Sequence, residues 1–479
     1  MTRLRLSKLF LSVFRFLLPP TLIGLLYLLL FPFLAGCYFP PAKPAEAGCV
    51  VPGKGRPSVP EVKAPFRLLA LADPQLEGDT SVPFAEFEWR RAWEDGEGVL
   101  ELGKEVVGKV LGRARKKLDL WGNDRYLAHI FRMVYWWTQP THVVVLGDLL
   151  GSQWIGDGEF ERRTRRFWEV VFGGMERVPG QNMERSGYAE DLGRDAGWEK
   201  RAVAVAGNHD VGYAGDLDEG RIERFERGFG KVNWEVRFAL GGNGSSGAST
   251  SSSSFGLGAL LDQPPELRLV ILNSMNLDSP AYKPELQDQS LQFLDAAISS
   301  PQPKPHSKTG TILLTHIPLH KPEGMCVDSP YFSYFPSSQG GGIKEQNHLS
   351  HSISQQILDG LTADGRGSAI VLNGHDHEGC DTWHSNTSSG WQAQRTGERL
   401  RELTVRSMMG DFGGNAGLLS AWFSEESGKW EFEYESCMFG VQHIWWGIWV
   451  LFIIESLLGV VGGVSWTFER RNQKKLKIG

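Results

Sequence analysis

Polar side chains of metal-binding types follow five short apolar segments of the chain, at the point where each segment ends. Parallel strands of α/β domains present functional side chains at their carboxyl ends, so we expect these residues to meet at one edge of a sheet. Carboxylate, amide and imidazole groups together suit divalent transition metals, and the pattern predicts a two-metal site. Any one residue alone would be an ordinary turn or structural side chain. The set is Asp73, Gln75, Asp148, Asn208, His209, Asp210, His316, His375 and His377.

The order of these residues resembles the motif series of the calcineurin-like metallophosphoesterases. The similarity is closer to one branch, the fungal endoplasmic-reticulum phosphodiesterases that remove ethanolamine phosphate from glycosylphosphatidylinositol (GPI) anchors. It extends over residues 66–417. The segments that carry it are 72–75 (ADPQ), 315–319 (THIPL), 345–350 (EQNHLS), 374–380 (GHDHEGC) and 405–410 (VRSMMG).

The resemblance implies a set of ligands for each of two metal ions and one residue that bridges the two ions. Asp148 would contact both ions, and two such ions would activate a water molecule and neutralise charge on a phosphoryl group. One ion would be held by Asp73, Gln75, Asp148 and His377, and the other by Asp148, Asn208, His316 and His375. By the same resemblance His209 contacts the phosphoryl oxygens or protonates the leaving alkoxide, and Asp210 orients the His209 ring.

The sequence departs from the superfamily pattern at two positions. Gln75 replaces a histidine and offers a neutral amide oxygen, which favours a harder ion, so we predict Mn²⁺ with Zn²⁺ and Fe²⁺ as alternatives. The same glutamine occurs in the GPI-remodelling branch. Gly151 stands where a further aspartate is usual, and Asp157 is a candidate replacement. Gln346, Asn347 and His348 precede a predicted helix and either contact substrate phosphate or cap that helix.

The order of predicted elements indicates an α/β fold. Strands alternate with helices at 123–138, 159–172 and 349–361, and antiparallel strands follow. The family resemblance implies a four-layer αββα sandwich. We expect one catalytic domain over 66–436, with a disordered Gly/Ser-rich insert at 241–256.

Both ends of the chain carry apolar runs with basic flanks. We predict transmembrane helices at 16–37 and 444–466, with a cleaved signal peptide as the alternative for the first. The basic segments 1–15 and 467–479 then lie in the cytosol by the positive-inside rule, and the stalk 38–65 and the domain lie in the lumen.

Three further features fit an endoplasmic-reticulum membrane protein. The last five residues match a K-x-K-x-x retrieval signal, and Asn243 and Asn386 lie in glycosylation sequons. An even set of four cysteines in an oxidising compartment allows three pairings. We favour Cys326 with Cys380, both beside the predicted metal loops, which leaves Cys49 with Cys437.

The sequence thus predicts a dinuclear-metal phosphodiesterase that removes ethanolamine phosphate from a GPI mannose, the second by resemblance. Its partners would be the GPI-glycan substrate, the membrane and cargo-export machinery. A non-catalytic membrane adaptor for GPI-anchored cargo and a metallophosphatase for another phosphoester are the alternatives. The net charge of −6 gives no reason to expect a nucleic-acid partner.

Overall fold

The strands of the protein form two large sheets and a separate hairpin. The computed structural model describes residues 6–42, 62–78, 99–184, 189–241, 264–298, 308–363, 367–388, 390–410 and 413–478. The strands are β1 (Phe66–Leu71), β2 (His142–Leu146), β3 (Glu176–Arg177), β4 (Ala189–Asp191), β5 (Arg201–Val205), β6 (Trp234–Ala239), β7 (Glu266–Ile271), β8 (Thr309–Leu314), β9 (Phe332–Tyr334), β10 (Ile343–Gln346), β11 (Ser368–Asn373), β12 (Cys380–Thr387), β13 (Gly390–Gln394), β14 (Leu400–Thr404), β15 (Gly414–Ser424) and β16 (Lys429–Gly440).

The first sheet has the strand order β16-β15-β1-β2-β5-β3, and the second β13-β12-β14-β11-β8-β7-β6-β4. In the first sheet β1, β2 and β5 are parallel, and in the second β7, β8, β11 and β14 are parallel. The five strands predicted to deliver metal ligands are β1, β2, β5, β8 and β11, and all five lie inside these parallel blocks. Strands β9 and β10 form the hairpin.

Helices of the domain cover the outer faces of both sheets, and two long helices lie at the ends of the chain. They are α1 (Leu6–Leu34), α2 (Val99–Thr138), α3 (Asp157–Arg166), α4 (Gly180–Glu184), α5 (Asn208–Val211), α6 (Glu219–Phe229), α7 (Pro284–Ile298), α8 (His351–Thr362) and α9 (Gln442–Ile478). A π-helical turn, Phe167–Val171, continues α3. The three predicted helices correspond to the end of α2, to α3 with its π turn, and to α8.

Alternate residues of each central strand point to opposite faces. Leu68 of β1 packs between the sheets in a cluster that includes Ile312 of β8 and Ile370 of β11. Its neighbour Leu69 packs in the cluster that contains the helix residues Ile130 and Phe131. The predicted four-layer αββα arrangement is therefore confirmed. The insert at 241–256 lies outside the described residues apart from Gly241.

Helices α1 and α9 are long and apolar enough to cross a membrane by length and composition. They pack side by side in opposite directions, with Gly24 against Ile448 and Gly459 against Phe14. The prolines of α1 do not interrupt it, as membrane helices tolerate them. Helix α2 leans on both helices, because Trp137 Nε1 donates to Leu29 O at 2.8 Å and Gln442 Nε2 donates to Asn123 Oδ1 at 2.7 Å.

Two disulfides join distant parts of the chain. Cys326 pairs with Cys380, as predicted. Cys437 pairs with Cys37, so the predicted pairing with Cys49 was wrong. Cys37 follows the end of α1 and lies against β16, where its Cα is 5.3 Å from that of Cys437. Cys49 lies outside the described residues.

Candidate metal centre

The predicted ligands lie together where the carboxyl ends of parallel strands from both sheets meet. Asp73 follows β1, Asp148 follows β2, His316 follows β8 and His375 follows β11. Ligand atoms of Asp148, His316 and His375 all lie within 4.8 Å of one another. The sequence predicted that the ligands meet at the edge of one sheet. In the structure they come from two sheets and line a cleft between them.

Asp148 occupies the middle of the cluster, and its side chain is 2% exposed. Its Oδ1 accepts a hydrogen bond from the backbone N–H of His209 at 2.8 Å and lies 3.3 Å from His316 Nε2. Its Oδ2 accepts from the Gln75 amide at 3.2 Å. The two carboxylate oxygens thus face different sets of predicted ligands.

The residues predicted for the first ion surround one side of Asp148. The Gln75 amide nitrogen is 3.2 Å from His377 Nε2. Both carboxylate oxygens of Asp73 accept from the backbone N–H of His375 at 3.2 Å. The structure therefore brings Asp73, Gln75, Asp148 and His377 into one place.

The residues predicted for the second ion lie on the other side. His316 Nε2 is 3.1 Å from Asn208 Oδ1, and His316 Nδ1 donates to Leu146 O at 2.7 Å. His375 Nε2 is 3.1 Å from the carbonyl oxygen of Gln346. A ring nitrogen that donates to a carbonyl leaves the lone pair on the other nitrogen. In the neutral rings, Nε2 of His316 and Nδ1 of His375 are accordingly the atoms that would bind a metal.

Backbone conformation also marks the cluster. Among the described residues, the non-glycine positions with positive φ are Asp73, Gln75, Gln139, Asp148 and His375. All but Gln139 are predicted ligands. Such conformations cost about 1–3 kcal/mol each and persist only where the surroundings enforce them.

The buried carboxyl and imidazole groups of the site shift one another's pKa values. Burial raises the pKa of Asp73 well above its ordinary value. Burial would lower the pKa of His316, but the Asp148 carboxylate outweighs it and the pKa rises to about 9. Burial and the neighbouring His316 lower the pKa of His375 to about 3, which keeps that imidazole neutral. Metal ligands must be deprotonated, and a divalent cation would stabilise those forms.

The donor set also fits divalent transition metals. Asp73 and Asp148 are buried, and no Lys or Arg nitrogen of the described residues lies within 4 Å of either carboxylate. Oxygen and imidazole donors without thiolates are typical of Mn²⁺, Fe²⁺ and Zn²⁺ sites in hydrolases. The residues therefore fit bound divalent metal ions.

His209 and Asp210 do not act as the predicted pair. The Asp210 carboxylate accepts from the backbone N–H groups of Leu149, Leu150 and Gly207 at 3.2, 2.9 and 2.9 Å. It therefore fixes the loop that carries Asp148 and does not orient the His209 ring. Nδ1 of His209 has no hydrogen-bond partner in the described part of the chain, and its Nε2 lies 3.7 Å from Asp148 Oδ2.

The Asp210 geometry also bears on Gly151. Asp157, the candidate replacement for the missing aspartate, is exposed and lies 3.8 Å from Arg224, away from the cluster. Gly151 donates its N–H to Leu76 O at 3.0 Å, and a Cβ there would lie 3.1 Å from the carbonyl oxygen of Gln75. Asp210 supplies the loop-fixing carboxylate from another motif.

The segment 346–348 meets the centre through the Gln346 carbonyl and is fixed by contacts of its side chains. The Gln346 side chain donates to Asp278 Oδ2 at 2.9 Å, and only its backbone carbonyl meets His375. Asn347 Oδ1 accepts from the N–H of Tyr331 at 2.8 Å. His348 is buried, and burial lowers its pKa to about 4. Ser350, not this segment, caps α8 by accepting from the N–H of Ile353.

A buried ionic cluster connects the His316 loop to the strand that carries His375. Glu402 Oε1 accepts at 2.8 Å from Leu319 N–H, Lys321 Nζ and Asn373 Nδ2. Its Oε2 lies 2.6 Å from His384 Nε2. This cluster was not predicted from the sequence. Its signal was the spacing of Leu400 and Glu402 in β14, which places the glutamate on the same face of the strand as a buried leucine.

We expect Gly147→Ala to weaken metal binding. Gly147 has φ +87°, and a Cβ there would collide with the His316 ring. Displaced ligands and their supporting contacts typically cost about 10- to 100-fold in metal affinity or activity. Metal content by mass spectrometry and kcat/KM would measure this. Gly156→Ala is the matched control, since no atom lies within 4 Å of its Cβ position. Full metal content in Gly147→Ala would contradict the prediction.

The fold and this cleft define a metal-dependent phosphoesterase, and sequence comparison agrees. No protein-family model matches the chain. It is 33% identical over 381 residues to Protein TED1 of Saccharomyces cerevisiae, covering 69% of this chain and 75% of that protein. It is 30% identical to an uncharacterized Schizosaccharomyces pombe protein, of which it covers 69%. It is 25% identical over 284 residues to Metallophosphoesterase 1 of Gallus gallus, and the match covers 59% of each chain.

The chain belongs to the calcineurin-like metallophosphoesterase family, in the branch that its sequence motifs indicated.

Proposed function

We propose that the protein is a phosphodiesterase with two divalent metal ions, best satisfied by Mn²⁺, that removes ethanolamine phosphate from a mannose of GPI anchors. The observation that carries this proposal is the convergence of the complete predicted ligand set around Asp148. The kinship with Protein TED1, together with the motif resemblance to GPI-remodelling enzymes, supports the substrate. The second mannose is the proposed position.

The bound ions would supply Lewis-acid activation of water and neutralise charge on the phosphoryl group. The residues of the chain then have separate tasks. Asp73, Gln75 and His377 hold one side of the centre, and Asn208, His316 and His375 hold the other, with Asp148 between them. His209 Nε2 faces this centre, and its side chain is 36% exposed, so it can donate a proton to the departing mannose oxygen.

We propose that the protein acts in the endoplasmic-reticulum membrane with its catalytic domain in the lumen and both termini in the cytosol. The two apolar terminal helices and their basic flanks support this topology. The C-terminal K-x-K-x-x sequence would return the protein from later compartments. Asn386 is exposed on β12, where it could carry a glycan, whereas Asn243 lies outside the described residues.

The test is mass spectrometry of GPI glycans from cells that lack the protein, from cells that carry the wild-type protein and from cells that carry Asp148→Asn. We expect an additional ethanolamine phosphate on one mannose in the first and third, and not in the second. Normal anchors in all three would contradict the substrate. Metal analysis of the purified protein should give two ions per chain, and none would favour the adaptor alternative.

A further inference from the structure

The β9–β10 hairpin brings a carboxylate next to the metal centre. Gln346 ends β10, and its carbonyl oxygen is 3.1 Å from Nε2 of the metal ligand His375. The preceding residue, Glu345, is half-buried. The hairpin is held in place because Gly215 donates its N–H to Ile343 O at 2.9 Å. Glu345 is therefore in a fixed position one residue from a contact with the centre.

One tyrosine contacts this carboxylate, and a second contacts the ring of His375. The Tyr331 hydroxyl is 3.5 Å from Glu345 Oε2, and Asn347 anchors the Tyr331 backbone. The ring of Tyr213 lies edge-on to the His375 ring, with centroids 6.3 Å apart. Burial, and then the charges of Asp148, Tyr331 and Glu345, raise the pKa of Tyr213.

In the part of the chain that the structure describes, the Glu345 carboxylate is not paired with a cationic side chain. Its contacts there are with the hydroxyls of Tyr331 and Ser333, at 3.5 and 3.4 Å. Within the residues that the structure describes, no Lys, Arg or His nitrogen comes within 4 Å of it. A partly exposed carboxylate beside an aromatic ring is a favourable site for an organic cation.

We propose that Glu345, with Tyr331 beside it and Tyr213 against the metal ligand His375, binds the ammonium group of the ethanolamine while the phosphate occupies the metal centre. The inference rests on the proposed phosphodiesterase function and adds its specificity-determining residue. Only two carbons separate the ammonium from the phosphate ester oxygen, so the cation must be held close to the metals. Glu345 suits this position because the next residue, Gln346, contacts the metal ligand His375. The neutral part of the substrate, the mannose, is the leaving group and lies on the His209 side.

The test compares two para-nitrophenyl phosphodiesters, an aminoethyl ester and its propyl isostere, with full-length metal-loaded protein in detergent. We expect the wild-type protein to prefer the aminoethyl ester about 10-fold in kcat/KM, as a charge-assisted contact would give. Glu345→Gln should reduce the preference to near unity and leave hydrolysis of the propyl ester unchanged. Tyr331→Phe should retain most of the preference. Glu431→Gln, on β16, is the matched control and should keep all of it.

Three outcomes would overturn the inference. Equal hydrolysis of both esters by the wild-type protein would exclude ammonium recognition and leave the phosphodiesterase intact. An equal loss on both esters in Glu345→Gln would show a structural role for the hairpin instead. Hydrolysis of neither ester by the metal-loaded wild-type protein would remove the proposed phosphodiesterase function, and the inference with it.

Discussion

Asp148→Asn should lower kcat/KM for phosphodiester hydrolysis by about 10³-fold or more while the protein stays folded. Asp148 is the residue whose two oxygens face both sets of ligands. An amide of the same shape removes the negative charge that both cations need, and losses of about 4 kcal/mol in transition-state stabilisation correspond to this factor. Steady-state kinetics with a para-nitrophenyl phosphodiester would measure it.

Asp157→Asn is the control for this substitution, because Asp157 is exposed and lies 3.8 Å from Arg224. We expect wild-type activity there. The metal content of Asp148→Asn should fall below two ions per chain, and its circular dichroism spectrum should match the wild type. Retained turnover in metal-saturated Asp148→Asn would show that the site has been assigned to the wrong residues.

Glu402→Gln should destabilise the protein by about 3–5 kcal/mol, the usual cost of leaving one member of a buried ion pair alone. Lys321 is 1% exposed and Glu402 0%. The neutral variant would leave the Lys321 ammonium without its charge partner inside the core. Thermal unfolding in detergent, with metal present, should show a melting temperature lower by roughly 5 °C or more.

The same substitution has a pH signature. Burial would raise the pKa of Glu402, but Lys321 and His384 outweigh it and hold the pKa below its ordinary value of 4.5. A carboxylate with a depressed pKa stabilises the fold above its unfolded pKa and loses that contribution as the pH falls. The difference in melting temperature between wild type and Glu402→Gln should therefore shrink below about pH 4.5. Effects on the metal ligands cancel, since both proteins share them.

Two further variants control for this result. Lys321→Met combined with Glu402→Gln should recover part of the lost stability, because no unpaired charge is then buried. Asp119→Asn breaks an exposed pair with Arg115 and should change stability by less than about 1 kcal/mol. Equal destabilisation by Glu402→Gln and Asp119→Asn would contradict the role of the buried cluster.

The strands and the ligand positions could be predicted because their signals are local. An apolar run such as 143–146 specifies a buried strand by itself, and the polar residue after it reaches the carboxyl edge whatever surrounds it. The structure places Asp73, Asp148 and His375 together for that reason. Each strand and the ligand after it could be recognised from a few consecutive residues.

The failures concern partners that are distant in sequence. Asp210 is next to His209 in the chain, but its carboxylate turns to the backbone of Leu149 and Leu150. Cys437 forms its disulfide with Cys37 because β16 ends beside the end of α1. No local pattern distinguishes these choices, since each depends on how separate elements pack. The contacts of Tyr331 with Glu345 and of Tyr213 with His375 likewise depend on how separate elements pack.

The Cys37–Cys437 disulfide has a consequence for the reach of the enzyme. It joins the chain just after α1 to the strand that leads into α9, and α2 rests on both helices. The catalytic domain is thus an insertion within a helical hairpin that the disulfide closes. We expect the metals to stay at a constant height above the bilayer. For the proposed GPI-anchored substrate, the enzyme would then select phosphoesters by their distance from the lipid surface. It would cleave a phosphoester that the lipid anchor holds at the height of the metals.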